Sequence, residues 1–315
     1  MDSVSGSYAE VECLIANGFL GALLALGSAL GFAGNRAFAS RPLVKSDPVI
    51  PTYFTLIVGV VVTGLAMFLF NQESTLFHTT IIVLVIFAAV GVFHFAIGRQ
   101  ISYLAEKNIG ANQASPLIST QIVYAVLIAI AILGESINAG IAGGTVLILA
   151  GVLLLEVRSS ASKRGGKIKT GYVAALVTSV IFGISPLLIK VGLSIFDFYV
   201  SSTFIAYAAA LIFYALTRRP SKIFSAINAL PRYAVLFYVI AGILAALGQL
   251  FRFAALSIAP IVIVVPILAS HPIFTVLMTR KLAKDYEVFR PRTIGAIVIV
   301  VLGTIIVSLS SGNLP

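Results

Sequence analysis

Ten long apolar stretches follow one another along the chain, and they constrain its fold more than any other feature. A helix needs roughly 20 apolar residues to cross a bilayer, because each residue rises about 1.5 Å along the axis. The stretches span residues 13–34, 51–70, 79–99, 112–133, 138–156, 171–190, 198–217, 233–254, 259–279 and 293–311. The sequence therefore predicts an all-α polytopic membrane protein with ten transmembrane helices.

The composition agrees with this prediction and excludes several classes of protein. Of the 315 residues, 59% are hydrophobic and only 10% are charged, whereas a soluble domain carries about 25% charged residues. This excludes a soluble enzyme, a disordered chain and a DNA-binding protein. The segments between the stretches are too short for a soluble domain, so the function must lie within the membrane.

The basic residues fall mainly on one side of the predicted membrane. With ten helices, 19 of the 21 Lys and Arg residues lie after helices 1, 3, 5, 7 and 9, and the exceptions are Lys190 and Arg252. The positive-inside rule places the crowded side in the cytoplasm, with both termini outside a plasma membrane. The net charge of +10 therefore indicates topology, and no nucleic-acid partner is expected.

Residues repeat in order at a spacing of about 150, which divides the chain into two halves. The matching pairs are Gly98 with Gly248, Ala105 with Ala255, Pro116 with Pro266 and Gln121 with His271. We predict a first repeat over 1–157 and a second over 171–315, joined by a basic linker over 158–170 that sets topology or binds anionic lipid headgroups. Each repeat has five helices, an odd number, so the repeats have inverted topology, as in many secondary transporters.

Two motifs resemble the signature of the ten-helix EamA type of the drug/metabolite transporter superfamily. Residues 133–136 read Leu-Gly-Glu-Ser, and a glycine-rich apolar run follows over 143–154. The resemblance covers residues 14–311 and implies alternating-access transport of small metabolites. Many members of that superfamily have basic loops after helices 2 and 4, where this chain has Glu73 and Glu135. Members with such basic loops have both termini inside, so either this chain has the opposite orientation or its charge distribution does not indicate its orientation.

His271 and Gln121 are the sharpest candidates for a substrate site. They occupy equivalent positions near the middle of the ninth and fourth stretches, and Pro272 follows His271. Proline removes a backbone donor and frees an upstream carbonyl, which a membrane helix tolerates where other groups satisfy it. The two side chains are predicted to face one cavity. The alternative is an ordinary hydrogen bond between helices.

Further polar and aromatic residues lie in or at the ends of the stretches. The additional substrate-binding candidates are Tyr124, His94, Gln249, Arg252, Lys190 and Asn35. The alternative to substrate binding is a packing role for His94 and Tyr124. For the cations, the alternative is that their side chains extend to the membrane interface. The three histidines lack metal-ligand spacing, so neither a metal nor a cofactor is expected. No carboxylate falls at the centre of a predicted span, and Glu135 is expected to cap or pair within a helix–helix turn.

A secondary transporter of small metabolites such as amino acids, working by export or exchange, is the predicted function. No phosphate-binding Gly-x-x-x-x-Gly-Lys-Ser/Thr motif is present, so ATP drive is not expected. The spans also lack the paired Asp and the His-Glu-x-x-His of membrane hydrolases, so an enzyme is not predicted. The alternatives are a phosphorylated-sugar or nucleotide-sugar exchanger and a non-transporting receptor or scaffold. The expected partners are a small-molecule substrate and the lipid bilayer, and the chain is expected to be a monomer or homodimer.

Overall fold

The fold was analysed in a computed structural model that describes residues 2–154, 167–218, 220–282 and 292–310. Within these ranges the chain forms helices and no strands. The principal helices are α1 (Asp2–Leu43), α2 (Val49–Leu69), α3 (Ile81–Ile109), α4 (Ala111–Leu133), α5 (Ala139–Leu154), α6 (Ile168–Ile195), α7 (Tyr199–Thr217), α8 (Arg232–Ile258), α9 (Ile261–Leu268 and His271–Leu282) and α10 (Arg292–Ser310). Short helices at Glu73–His78 and Pro220–Asn228 connect α2 to α3 and α7 to α8.

Eight of these helices have the length and apolar composition of a membrane-spanning helix. The apolar parts of the other two, Ala139–Leu154 and Val298–Ser310, are shorter. Ten spans therefore stay a prediction. The predicted linker over 158–170 lies mostly outside the described residues, as do Glu287 and the rest of the segment between α9 and α10.

Two helices extend well beyond the predicted apolar stretches. The third stretch was expected to end at residue 99, but α3 continues to Ile109, and α1 continues past residue 34 to Leu43. The extensions contain Arg36 and Glu106, whose side chains are buried. Charged residues lower the hydropathy averaged over a window, so the sequence pattern predicts that the helix ends where they begin. Glu106, which the predicted stretches place in a connection, therefore lies within α3, near its C-terminal end.

The helices of the two halves pack in corresponding pairs. α1 contacts α8 and α9, and α6 contacts α3 and α4 in the same way, while α5 pairs with α10. Large apolar side chains such as Phe19, Leu65 and Leu216 point outward and are exposed, as expected for a surface that faces lipid. Polar side chains concentrate inside the bundle.

Close approach of backbones joins the helix pairs. A Cβ atom on Gly31 of α1 would lie 2.8 Å from the carbonyl oxygen of Leu244 in α8. A Cβ atom on Gly144 of α5 would lie 2.8 Å from the carbonyl oxygen of Gly303 in α10. Real Cβ atoms do not approach this closely, so these contacts require glycine. Small residues at helix interfaces are a common means of association in membranes.

Three helices are irregular where they pass through the centre of the bundle. α4 is interrupted at Thr120, four residues after Pro116, and α9 is interrupted at residues 269 and 270, shortly after Pro266. α3 widens to a π-helix over Gly91–Gly98. Irregular backbone at membrane depth is tolerated where it is buried in protein or lines a cavity. These interruptions therefore indicate where a site can form.

Candidate functional site: a buried polar cavity

A cavity of about 40 Å³ lies among six helices at the level of the three irregularities. This is room for about three water molecules. The lining residues are Phe32, Asn35 and Arg36 of α1, His94, Arg99, Ser102, Tyr103 and Glu106 of α3, Gln121 of α4, Phe182 of α6, Gln249 and Arg252 of α8, and Leu268 and His271 of α9. Both halves of the chain contribute to the wall.

His94 is the centre of one hydrogen-bond network in the wall. The Nη1 atom of Arg252 lies 3.0 Å from its Nε2 atom, and the Nε2 atom of Gln249 lies 3.2 Å from the same nitrogen. Arg252 also donates through Nη2 to the hydroxyl of Ser185, at 3.1 Å. Since a guanidinium can only donate, the facing nitrogen of His94 accepts, and the imidazole is neutral in this arrangement.

The π-helical turn and an aromatic ring fix the orientation of His94. The wider turn over Gly91–Gly98 displaces the side chain relative to a regular helix, a feature often found at functional sites. Its ring stacks on Phe182 of α6 with centroids 4.0 Å apart. His94 is therefore held between α6 and α8 although it belongs to α3.

Arg36 and Glu106 form a buried ion pair at another part of the wall. The Nη1 atom of Arg36 lies 2.5 Å from Oε1 of Glu106, and Ser102 donates to the same oxygen at 3.2 Å. Asn35 donates to the Tyr103 hydroxyl at 2.9 Å. These bonds connect α1 to the extension of α3 that the hydropathy pattern excluded from the span.

Arg99 is buried without a carboxylate partner among the described residues. Its guanidinium lies over the rings of Phe95 and Tyr207, 5.5 Å and 5.7 Å from their centroids. Its Nη1 atom has no hydrogen-bond acceptor within the described ranges, and neither does Nε of Arg252. Cation–π contact stabilises a guanidinium by only about 1–2 kcal/mol, so these N–H groups are available to a ligand.

Gln121 and His271 each begin the second part of an interrupted helix. Gln121 follows the break in α4, and His271 follows the break in α9. Both side chains are buried and line the cavity. The Nδ1 atom of His271 has no hydrogen-bond partner in the described part of the structure. The equivalent positions inferred from the repeat are thus in the same wall.

Comparison with known proteins identifies the family. The model of the EamA-like transporter family matches residues 19–157 and 169–309, once for each half. The chain belongs to the EamA-like transporter family. Members of this family, part of the drug/metabolite transporter superfamily, are membrane transporters. With its long apolar helices, this chain is an integral multi-pass membrane protein.

A solved structure has the same fold. It is a crystal structure of a protein with 17% sequence identity and a TM-score of 0.68, and the alignment covers 93% of this chain and 98% of the other. Identity at this level shows the fold alone. A search of curated proteins found no match to the sequence.

Six of the eight side chains predicted for the site line the cavity of this EamA-like protein. They are Asn35, His94, Gln121, Gln249, Arg252 and His271. Tyr124 lies outside the cavity, against Gly183 of α6 and 38% exposed. The role of the six residues in substrate binding stays a prediction.

Lys190 also lies outside the cavity. Its ammonium group donates to the carbonyl oxygens of Leu256 and Ala259, at 2.9 Å and 3.0 Å. These carbonyls end α8, where a cation is favourable. The end of a neighbouring helix therefore binds the charge of Lys190, and its role in substrate binding stays a prediction.

The sequence did not identify Arg36, Arg99 and Glu106 as site residues. The predicted stretches place Arg99 and Glu106 in a connection after the third helix, and they place Arg36 at the end of the first helix, where a cation would lie near the mouth of a cavity. Only the helical alternation of polar and apolar residues, which continues through Ile109, could have indicated that α3 is longer. The pairing of Arg36 with Glu106 joins residues 70 positions apart, which no local pattern reveals.

Glu135 caps the beginning of α9, which confirms its predicted structural role. Its two carboxylate oxygens accept hydrogen bonds of 2.9 Å from the backbone N–H groups of Ile261 and Val262. A carboxylate at a helix N-terminus satisfies free donors and complements the helix dipole. The Leu-Gly-Glu-Ser motif of the first half therefore holds the beginning of α9, the interrupted helix of the second half.

Proposed function

We propose that this EamA-like protein is a secondary transporter of small metabolites, including amino-acid-like solutes, and that the buried cavity is its substrate site. The observation that carries the proposal is a polar cavity lined by both repeats and by both interrupted helices. Intramembrane polar groups are costly and are retained at pathways for solutes. Substrate sites of such folds lie at the interface of repeats near the midplane.

The proposed architecture is ten helices in two inverted repeats. The corresponding packing of α1 on α8 and of α6 on α3 supports it, as does the odd number of helices in each half. Inverted halves can exchange conformations, which opens the site to one face and then to the other. The proposed location is the plasma membrane, with the basic loops in the cytoplasm and a monomer or homodimer as the unit.

The small volume of the cavity supports an alternating-access mechanism. A space of about 40 Å³ is too small for a metabolite, so transport requires the walls to separate. The interrupted helices α4 and α9 provide places where the backbone can bend without loss of regular hydrogen bonds. Movement of the segments that carry Gln121 and His271 would open the site on one side.

Two alternatives to this function are considered, and a structural feature supports the first of them. A phosphorylated-sugar or nucleotide-sugar exchanger needs cations in the cavity, and Arg252 provides one, whereas Lys190 does not. A non-transporting receptor or scaffold would use the same cavity without flux. Measured exchange separates this last function from transport.

Counterflow exchange in proteoliposomes tests the proposal. The lumen is loaded in turn with amino acids, sugar phosphates, nucleotide sugars and polyamines, and trace labelled solute is added outside. We expect tracer to accumulate for one class in proteoliposomes and not in empty liposomes. His271→Ala is expected to lower the rate at least about tenfold, a change of about 1.4 kcal/mol in barrier height.

A matched control is His78→Ala. His78 is exposed at the end of the short helix after α2, so its loss should leave exchange unchanged. Folded wild-type protein that exchanges none of the four classes would count against the proposal and favour a receptor. An equal loss of exchange rate in the His271→Ala and His78→Ala variants would show that the cavity has no specific role in transport.

A further inference from the structure

The ionised groups lining the cavity do not balance, and this imbalance defines a substrate class for the proposed transporter. Three guanidiniums, those of Arg36, Arg99 and Arg252, line a space with one carboxylate, that of Glu106, in the described part of the chain. Two positive charges are left over. A buried charge without a partner is costly, because the interior cannot replace its hydration.

Arg36 is already neutralised, which leaves Arg99 and Arg252 as the excess charges. Glu106 accepts from Arg36. The hydrogen-bond partners of Arg252 are the neutral groups of His94 and Ser185, and Gln249 contacts the same nitrogen of His94, Nε2. The two excess guanidiniums also repel one another. Each is more than nine-tenths buried, so solvent does little to screen them.

Both excess guanidiniums keep an N–H group without an acceptor. Nη1 of Arg99 and Nε of Arg252 lack hydrogen-bond partners within the described residues. Guanidinium donors match the paired oxygens of carboxylates and phosphates, and such charge-assisted bonds are about twice as strong as neutral ones. An anionic group between them would satisfy both donors and reduce the excess charge.

We propose that the cavity, once its walls have separated, binds an organic anion, whose carboxylate or phosphate group lies between Arg99 and Arg252. The rings of Phe32 and Phe182 line the same space and would contact the organic part. This inference rests on the proposed transport function and specifies its substrate as anionic. Solutes without a carboxylate or phosphate group would leave the two guanidiniums unpaired and are not substrates.

Thermal unfolding of the purified protein in detergent tests binding without requiring transport. The probes are matched pairs at constant ionic strength: succinate with succinamide, and glucose 6-phosphate with glucose. A ligand that binds only the folded protein raises the unfolding temperature. We expect succinate or glucose 6-phosphate to raise it in a saturable way, and their uncharged partners not to do so. Which of the two acts distinguishes a carboxylate from a phosphate substrate.

Substitution at the same helix provides a matched control. Arg252→Gln removes a buried cation of α8, and Arg232→Gln removes an exposed cation at the start of α8. We expect Arg252→Gln and Arg99→Gln to weaken anion binding about ten- to hundredfold, the cost of a lost charge-assisted hydrogen bond. Arg232→Gln should bind as the wild type does. If the variants at the buried positions do not fold, the comparison of charged with uncharged ligands on the wild-type protein still tests the anion site.

The outcomes separate this inference from the transport proposal. Saturable stabilisation by an anion without counterflow would keep the anion site and reject transport. Counterflow of polyamines, which carry neither a carboxylate nor a phosphate, with no response to anions, would keep transport and overturn the anion site. Equal stabilisation by succinate and succinamide, or undiminished binding in folded Arg252→Gln and Arg99→Gln variants, would also overturn it.

Discussion

The Ser119 hydroxyl donates a hydrogen bond of 3.0 Å to the carbonyl oxygen of Ala269, the residue 150 positions later. This spacing equals the spacing of the repeat, so a residue of the first half is hydrogen-bonded to its equivalent residue in the second half. The following residues also correspond, because Thr120 and Ser270 each donate to the carbonyl three residues earlier. Such back-bonding competes with helical hydrogen bonds. The breaks in α4 and α9 are therefore built alike and are joined to each other.

Removing the Ser119 hydroxyl should loosen this junction. We expect Ser119→Ala to lower the free energy of unfolding by about 1 kcal/mol, the typical contribution of a hydrogen bond between membrane helices. Ser257→Ala is the control, because the Ser257 hydroxyl donates to the carbonyl of Ala254 in its own helix and to no other helix among the described residues. Denaturant titration of both variants in detergent measures the difference. Equal loss in the two variants would contradict a specific role for the junction.

The helical membrane fold and its division into two similar halves could be predicted from the sequence, because both depend on spacing along the chain. The same spacing places Gln121 and His271 at equivalent positions, and both line the cavity. The ends of α1 and α3 could not be predicted. Arg36 and Glu106 lie beyond the ends of the apolar windows although the helices continue, since the two charges neutralise one another inside the bundle. Which polar side chains meet is decided by helix packing across 70 or more residues, and hydropathy carries no information about that.

Removing one partner of the Arg36–Glu106 pair should lower the free energy of unfolding strongly. Loss of a single partner leaves a buried charge, at a cost of about 3–5 kcal/mol. We expect Arg36→Met and Glu106→Gln each to lower the unfolding free energy by an amount in this range. The double variant should lose less than the sum of the two single losses.

A double-mutant cycle on unfolding in detergent measures the coupling. Thr170→Ala combined with each single variant provides a control, because Thr170 is exposed at the start of α6. Additive losses in the Arg36 and Glu106 cycle would show that the pair contributes no coupling energy.

The carboxylate of Glu135 should stabilise the first segment of α9. Glu135→Ala removes both acceptors from the N–H groups of Ile261 and Val262, and loss of a cap costs about 1–2 kcal/mol. Glu135→Gln keeps one acceptor oxygen and should lose about half as much. Asp197→Ala is the control, because that carboxylate is exposed beyond the end of α6.

Hydrogen exchange of the Ile261 and Val262 amides, measured by mass spectrometry of the purified protein, reports the effect locally. We expect faster exchange in Glu135→Ala and no change in Asp197→Ala. Unchanged protection in Glu135→Ala would mean that other groups cap this helix.

Two adjacent glycines of α5 should differ sharply in their tolerance of a methyl group. A Cβ atom on Gly144 would lie 2.8 Å from the carbonyl oxygen of Gly303, which is backbone and cannot rotate away, whereas nothing lies within 4 Å of the same atom on Gly143. We expect Gly144→Ala to separate α5 from α10 and to cost about 1–3 kcal/mol, as overpacking does. Gly143→Ala should be neutral or stabilising by up to about 1 kcal/mol, because alanine favours the helix. Unfolding temperatures of the two variants in the same detergent measure the contrast, and similar temperatures would contradict the close contact between these helices.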